Sequence, residues 1–135
     1  MTYCIDGAGY NGVDSAICIA KGKKKKRLRI IVYQENLSAL EAEGLALLSC
    51  LLECKPNTLI KSDCLILVHA VTTSRDNLGT ELFKTMIEEI RKVYKEKNCK
   101  LEWISREENL AGKALESRRF KLRNYRRSII NGVKR

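Results

Sequence analysis

Three apolar runs near the start of the chain limit the fold more than any other feature. Tyr3 to Ile5, Ser15-Ala-Ile-Cys-Ile-Ala20 and Leu28-Arg-Ile-Ile-Val-Tyr33 are rich in β-branched and aromatic residues and read as strands. Parallel neighbours need a crossover of a dozen or more residues, and the gaps between these runs are too short for one. Three strands joined this way form an antiparallel meander. Gly7 and Gly9 are expected to end the first strand just after Asp6. Gly22 and the run Lys23, Lys24, Lys25, Lys26 and Arg27 are too polar to bury. They read as a solvated hairpin tip, with phosphate contact and, after it, a nuclear-localisation signal as the functional alternatives.

The pattern then changes period. Ser38-Ala-Leu-Glu41 has capping-box spacing and opens a helix that runs to about Cys54, with Pro56 closing the segment. Thr58 to Asp63 reads as a fourth strand, and a short helical stretch from Cys64 to Val71 follows. A long helix is expected from about Asn77 to Lys97. Its apolar stripe is Leu82, Phe83, Met86, Ile87, Ile90, Val93 and Tyr94. Lys100 to Ile104 is a fifth strand, and a last helix runs from near Asn109 to Gly132, where glycine suits a helix stop. This order predicts an α/β fold with a five-stranded mixed sheet. Strands 1–3 form the antiparallel meander, strands 4 and 5 are parallel additions, and helices flank the sheet.

At 135 residues the chain is long enough to bury one proper core. No stretch approaches the length of a membrane span and the N-terminus lacks a secretory pattern, so a cytoplasmic protein is expected. The six cysteines form no CxxC pair and lie inside apolar runs, as reduced thiols that pack like small hydrophobes would. The formal net charge is +10, and eight of the 26 basic residues, with no acid, follow Ser117. The remaining 18 basic residues nearly balance the 16 acids. Residues 1–116 thus read as the body, and 117–135 as a basic extension of the last helix. A near-neutral body with a basic end points to a polyanionic partner, most simply nucleic acid.

Three acids break otherwise apolar patterns. Asp6 ends the first strand and Asp63 the fourth. Glu43 falls on the apolar stripe of the first helix with Ala39, Leu40, Ala46, Leu47, Cys50 and Cys54. A carboxylate near a core needs a cation or a donor. Clusters of carboxylates hold Mg2+ or Mn2+, which prefer oxygen ligands. Two such ions ~4 Å apart activate a water and stabilise a leaving oxygen in phosphodiester cleavage. An acidic metal nest beside a polyanion-seeking helix points to a metal-dependent nuclease.

The ordered motifs resemble the type 1 ribonuclease H family, in its reverse-transcriptase-like branch. Tyr3 to Gly9 matches the family's strand-DGxx segment, and Ala42-Glu-Gly-Leu-Ala-Leu47 its AE-x-x-AL helix. Ser62-Asp-Cys-Leu-Ile-Leu67 matches its DS-x-x-L turn. Trp103-Ile-Ser-Arg-Glu-Glu-Asn109 with Leu115 matches its W-x-x-R-x-x-N…L ending. The resemblance implies a ribonuclease H-like fold and cleavage of the RNA strand of RNA/DNA hybrids with two divalent ions, Mg2+ or Mn2+. It makes Asp6, Glu43 and Asp63 the metal-binding catalytic carboxylates. The family's fourth acid falls where this chain has Lys113. Glu116, one turn on, is then either the substitute ligand or a surface glutamate paired with Lys113. The loop Ser105 to Glu108 holds no histidine where many relatives carry one, and the lone His69 reads as an ordinary helix residue. Ala39 and Leu40 stand where hybrid-specific relatives place asparagines that read 2′-hydroxyls. Arg106, Lys113, Arg118, Arg119, Arg123, Arg126 and Arg127, with the Lys23 to Arg27 run, are the candidate phosphate contacts. The alternatives are an inactive nucleic-acid-binding module on this fold, or a DNA nuclease or resolvase.

Overall fold

The computed structural model describes residues 2–22, 27–73 and 79–133, and the side chains of 125–133 lie outside the description. Strands β1 (Thr2–Ala8), β2 (Ser15–Lys21) and β3 (Leu28–Tyr33) form the expected antiparallel meander. β4 (Leu59–Ser62) adds parallel to β1, and β5 (Lys100–Trp103) adds parallel to β4. The sheet order is β3-β2-β1-β4-β5. Helices α1 (Ala39–Glu53), α2 (Leu65–Thr72), α3 (Glu81–Glu96) and α4 (Leu110–Val133) complete the chain. None of the helices among the described residues is long and apolar enough to cross a membrane.

Alternation along the central strands divides the core into two. Tyr3, Ile5, Ile17 and Ile19 point to one face and pack with Leu47, Leu51, Phe83 and Ile90 of α1 and α3. Cys4, Ala16, Cys18 and Ala20 point to the other and pack with Ala111 and Leu115 of α4. These four are small residues, so α4 lies close to the sheet. The same two-residue period puts Asp6 on the α4 face and Gly7 on the α1 face.

The first helix starts as its sequence says. Ser38 Oγ accepts from Glu41 N at 3.1 Å, and Glu41 Oε1 accepts from Ser38 N at 2.8 Å. Glu41 also does something the sequence hides: its other oxygen accepts a hydrogen bond from the Thr80 hydroxyl. Thr80 in turn caps α3 by accepting from Phe83 N at 3.2 Å. One carboxylate therefore ties the N-termini of α1 and α3, two residues before Glu43.

Several boundaries differ from the sequence reading. β1 does not stop at the glycines but continues through Gly7 and Ala8. The reason is contact: a Cβ at Gly7 would overlap the Ala42 carbonyl and Glu43 N, so glycine there lets α1 approach the strand. β4 ends at Ser62, leaving Asp63 just beyond its last rung. α3 begins at Glu81 rather than near Asn77, because Thr80 supplies the cap. Leu82 of its expected stripe is 48% exposed. The loop expected at Ser105 to Glu108 holds a short 3-10 turn, Arg106–Glu108. α4 runs through residues 116 and 117 without a break.

Candidate metal centre

Register brings the first two acids together. In the parallel pair, Ile5 lies beside Ser62, so the next residues, Asp6 within β1 and Asp63 just past β4, emerge side by side where that pairing ends. Glu43 arrives from α1 on the opposite face. Its side chain is only 7% exposed, and one of its oxygens accepts the Gly7 N–H. Ligand atoms of Asp6, Glu43 and Asp63 all lie within 4.8 Å of one another. They line a cavity of about 310 Å³ with Arg106, Gly112, Glu116 and Arg119 among its other walls.

Burial dominates the electrostatics. It raises the Glu43 carboxyl far above the ordinary range, helped by the hydrogen bond and the charge of Asp6 beside it. Burial likewise raises Asp6, and the Asp63 charge adds to this. The Asp6–Glu43 pair therefore retains a proton well above the usual carboxylate range. Cys64, also on the cavity wall, is pushed up to about 12 by burial and by the Glu43 charge.

Asp63 is held from three sides. Ser62 Oγ accepts from Cys64 N at 3.0 Å and shapes the turn, while Trp103 Nε1 donates to the Asp63 carbonyl at 3.2 Å. Asn109, fully buried, donates through Nδ2 to Asp63 Oδ2 at 3.2 Å and to the Ile5 carbonyl at 2.9 Å. Its Oδ1 accepts from Ala111 N at 3.1 Å and so caps α4. The sequence marked Asn109 as part of a motif but gave no sign of these partners.

The other sequence candidates scatter. Glu116 is exposed and reaches the cavity wall, outside the tight cluster of three. Lys113 lines a different groove, between α4 and β3, with Leu28, Ile30 and Lys121. Arg106 and Arg119 face the acids' cavity. Arg118 does not stand free: its guanidinium grips Asp14 with bonds of 2.6 and 3.1 Å, and Asp14 is 6% exposed. Arg27 and Arg123 are exposed. Lys23, Lys24, Lys25 and Lys26 lie outside the described residues, as do the side chains of Arg126 and Arg127. His69 is exposed on α2, away from the cavity lining.

The donor set suits a hard divalent cation. Three carboxylates within one ligand sphere supply only oxygen, and burial beside neighbouring acids, which raises the proton affinity of Asp6 and Glu43, is what a cation would relieve. No curated protein matches the sequence. The fold is similar to that of RNase H1 from the halophilic archaeon Halobacterium salinarum NRC-1. The TM-score is 0.61 at 15% identity, covering 86% of this chain and 97% of that one. Residues 6–118 match the family described as reverse transcriptase-like. That stretch runs from the first acid to the third turn beyond Asn109, and the chain belongs to this family, with a type 1 ribonuclease H-like fold.

Proposed function

We propose that the chain is a cytoplasmic, metal-dependent endonuclease that hydrolyses the RNA strand of RNA/DNA hybrids. What carries this reading is the convergence of Asp6, Glu43 and Asp63 within 4.8 Å where the parallel pairing of β1 and β4 ends. Bound there, two Mg2+ or Mn2+ ions would activate the attacking water and stabilise the leaving oxygen. The chain's own residues do the rest. Asp6 and Asp63 hold from the sheet, and Glu43 holds from α1. Asn109 fixes the rotamer of Asp63, and Glu116 supplies the fourth carboxylate from the cavity wall. Arg106 and Arg119 draw phosphates to the cavity, and the exposed cations of α4 add a salt-sensitive attraction for the backbone.

The test is a labelled RNA/DNA hybrid incubated with Mg2+ or Mn2+, beside single-stranded RNA, single-stranded DNA and duplex DNA, with EDTA as control. Internal cuts in the RNA strand of the hybrid, absent with EDTA, are expected. Binding without cleavage would make the chain an inactive module. Equal cleavage of duplex DNA would make it a DNA nuclease on the same fold.

A further inference from the structure

α4 meets the acid cluster through a residue without a side chain. Gly112 lines the cavity, and a Cβ built on it would lie 3.3 Å from Asp63 Oδ2 and 3.4 Å from Asp6 Oδ2. Two carboxylate oxygens, one from β1 and one from just past β4, thus converge on one bare backbone position. Its neighbours on the helix are placed elsewhere: Ala111 is buried against the sheet, and Lys113 turns to the groove beside β3.

Local folding gives no reason for glycine here. Gly112 lies inside a helix and is not among the described glycines with positive φ, so its backbone suits any residue, and alanine is the better helix former. Nor does any backbone stand in the way, although a methyl group would need the two carboxylates to give by a few tenths of an ångström. A Cβ at Gly7 or Gly9 would strike the backbone of α1, whereas at Gly112 the nearest atoms are the two carboxylate oxygens and, at 3.7 Å, Asn109 Cβ. What the missing side chain leaves open is the space between Asp6 and Asp63.

We propose that Gly112 is a cation-site residue, one that keeps the α4 side of a divalent cation open between Asp6 and Asp63. This rests on the reading that these carboxylates hold a cation. Asp6 and Asp63 would hold the cation, and the bare position on α4 would leave room beside it for water or for a phosphate oxygen of the substrate. A methyl group at position 112 takes that space. A carboxylate there becomes a further protein ligand.

The experiment titrates MnCl2 into wild type, Gly112→Ala and Gly112→Asp by isothermal calorimetry without nucleic acid, and melts each protein in EDTA. Gly112→Ala should melt at or above the wild-type temperature and bind Mn2+ at least tenfold more weakly. Gly112→Asp should melt lower in EDTA, through repulsion by the added acid, and bind Mn2+ at least tenfold more tightly. An alanine variant with wild-type affinity overturns the proposal. One that melts lower in EDTA also overturns it, by making Gly112 a packing residue. Wild-type protein that binds no Mn2+ would instead sink the cation reading of the whole site.

Discussion

Replacing Asn109 with aspartate changes one atom pair and tests how α4 is latched to the site. The shape and the cap are kept, since Asp can still accept from Ala111 N, but both donations from Nδ2 are lost. The Ile5 carbonyl loses a partner in a buried setting, at about 1–3 kcal/mol, and the half-buried Asp63 Oδ2 loses one at about 1 kcal/mol. A second carboxylate beside Asp63 adds repulsion, so the total is about 3 kcal/mol or more. For a domain of this size that corresponds to a fall in melting temperature of roughly 10 °C. The assay is thermal melting followed by circular dichroism at pH 8, in EDTA and then in MnCl2. Manganese should restore much of the loss, because the new carboxylate becomes a ligand. Asn109→Ala, which loses the cap as well but adds no charge, should gain from manganese no more than wild type does. At low pH the aspartate regains a proton to donate, and its deficit should shrink. An Asn109→Asp protein that melts within about 2 °C of wild type in EDTA would refute the latch.

Asp6→Asn and Asp63→Asn should abolish hybrid cleavage yet melt at or above the wild-type temperature in EDTA, since each removes like-charge repulsion from a tight cluster. Glu116→Gln should cut kcat far more than it raises KM, with partial rescue by manganese, while Glu107→Gln and Glu108→Gln leave turnover near wild type in the same assay. Glu43 titrates above its ordinary 4.5 in the folded chain. Its contribution to stability is therefore complete below the unfolded value and is lost as pH rises toward the folded one. Urea unfolding of metal-free protein should accordingly show a decline in stability from pH 5 to pH 8 that is smaller in Glu43→Gln and in the presence of MnCl2. Arg118→Ala strands the nearly buried Asp14 and should cost about 3 kcal/mol in urea unfolding, with much of it recovered when Asp14→Asn is added.

Local chemistry made much of the fold legible. Short links fixed the meander, Ser38 and Glu41 announced the start of α1, and three acids stood out because each broke an apolar pattern. Their convergence followed from the order of elements the motifs implied. What stayed hidden depends on contacts between distant parts of the chain. Nothing near Gly7 in sequence says that α1 will press on it, so the glycines read as the end of a strand. Glu41 had a visible partner in Ser38, while its bond to Thr80 spans 39 positions. Arg118 sat in a run of cations and looked like one more phosphate contact, because Asp14, which holds it, is 104 residues away. A glycine in the interior of a helix was the available signal for position 112, and it is a weak one until the neighbours are known.

The latch made by Asn109 also sets a timetable. A ribosome delivers Asp6, Glu43 and Asp63 early, yet the amide that secures the Ile5 carbonyl lies 104 positions later than its acceptor. Between the last of the three acids and Gly112 stand ~50 residues, which take several seconds to synthesise at about 5–20 residues per second. During that interval Cys4, Ala16, Cys18 and Ala20 have no helix to cover them, and Asp63 has no amide to hold its carboxylate. The helix that seals the second half of the core is the same one that completes the acid cavity. A nascent chain therefore carries all three carboxylates without an assembled centre, and competence arrives only when the last helix docks.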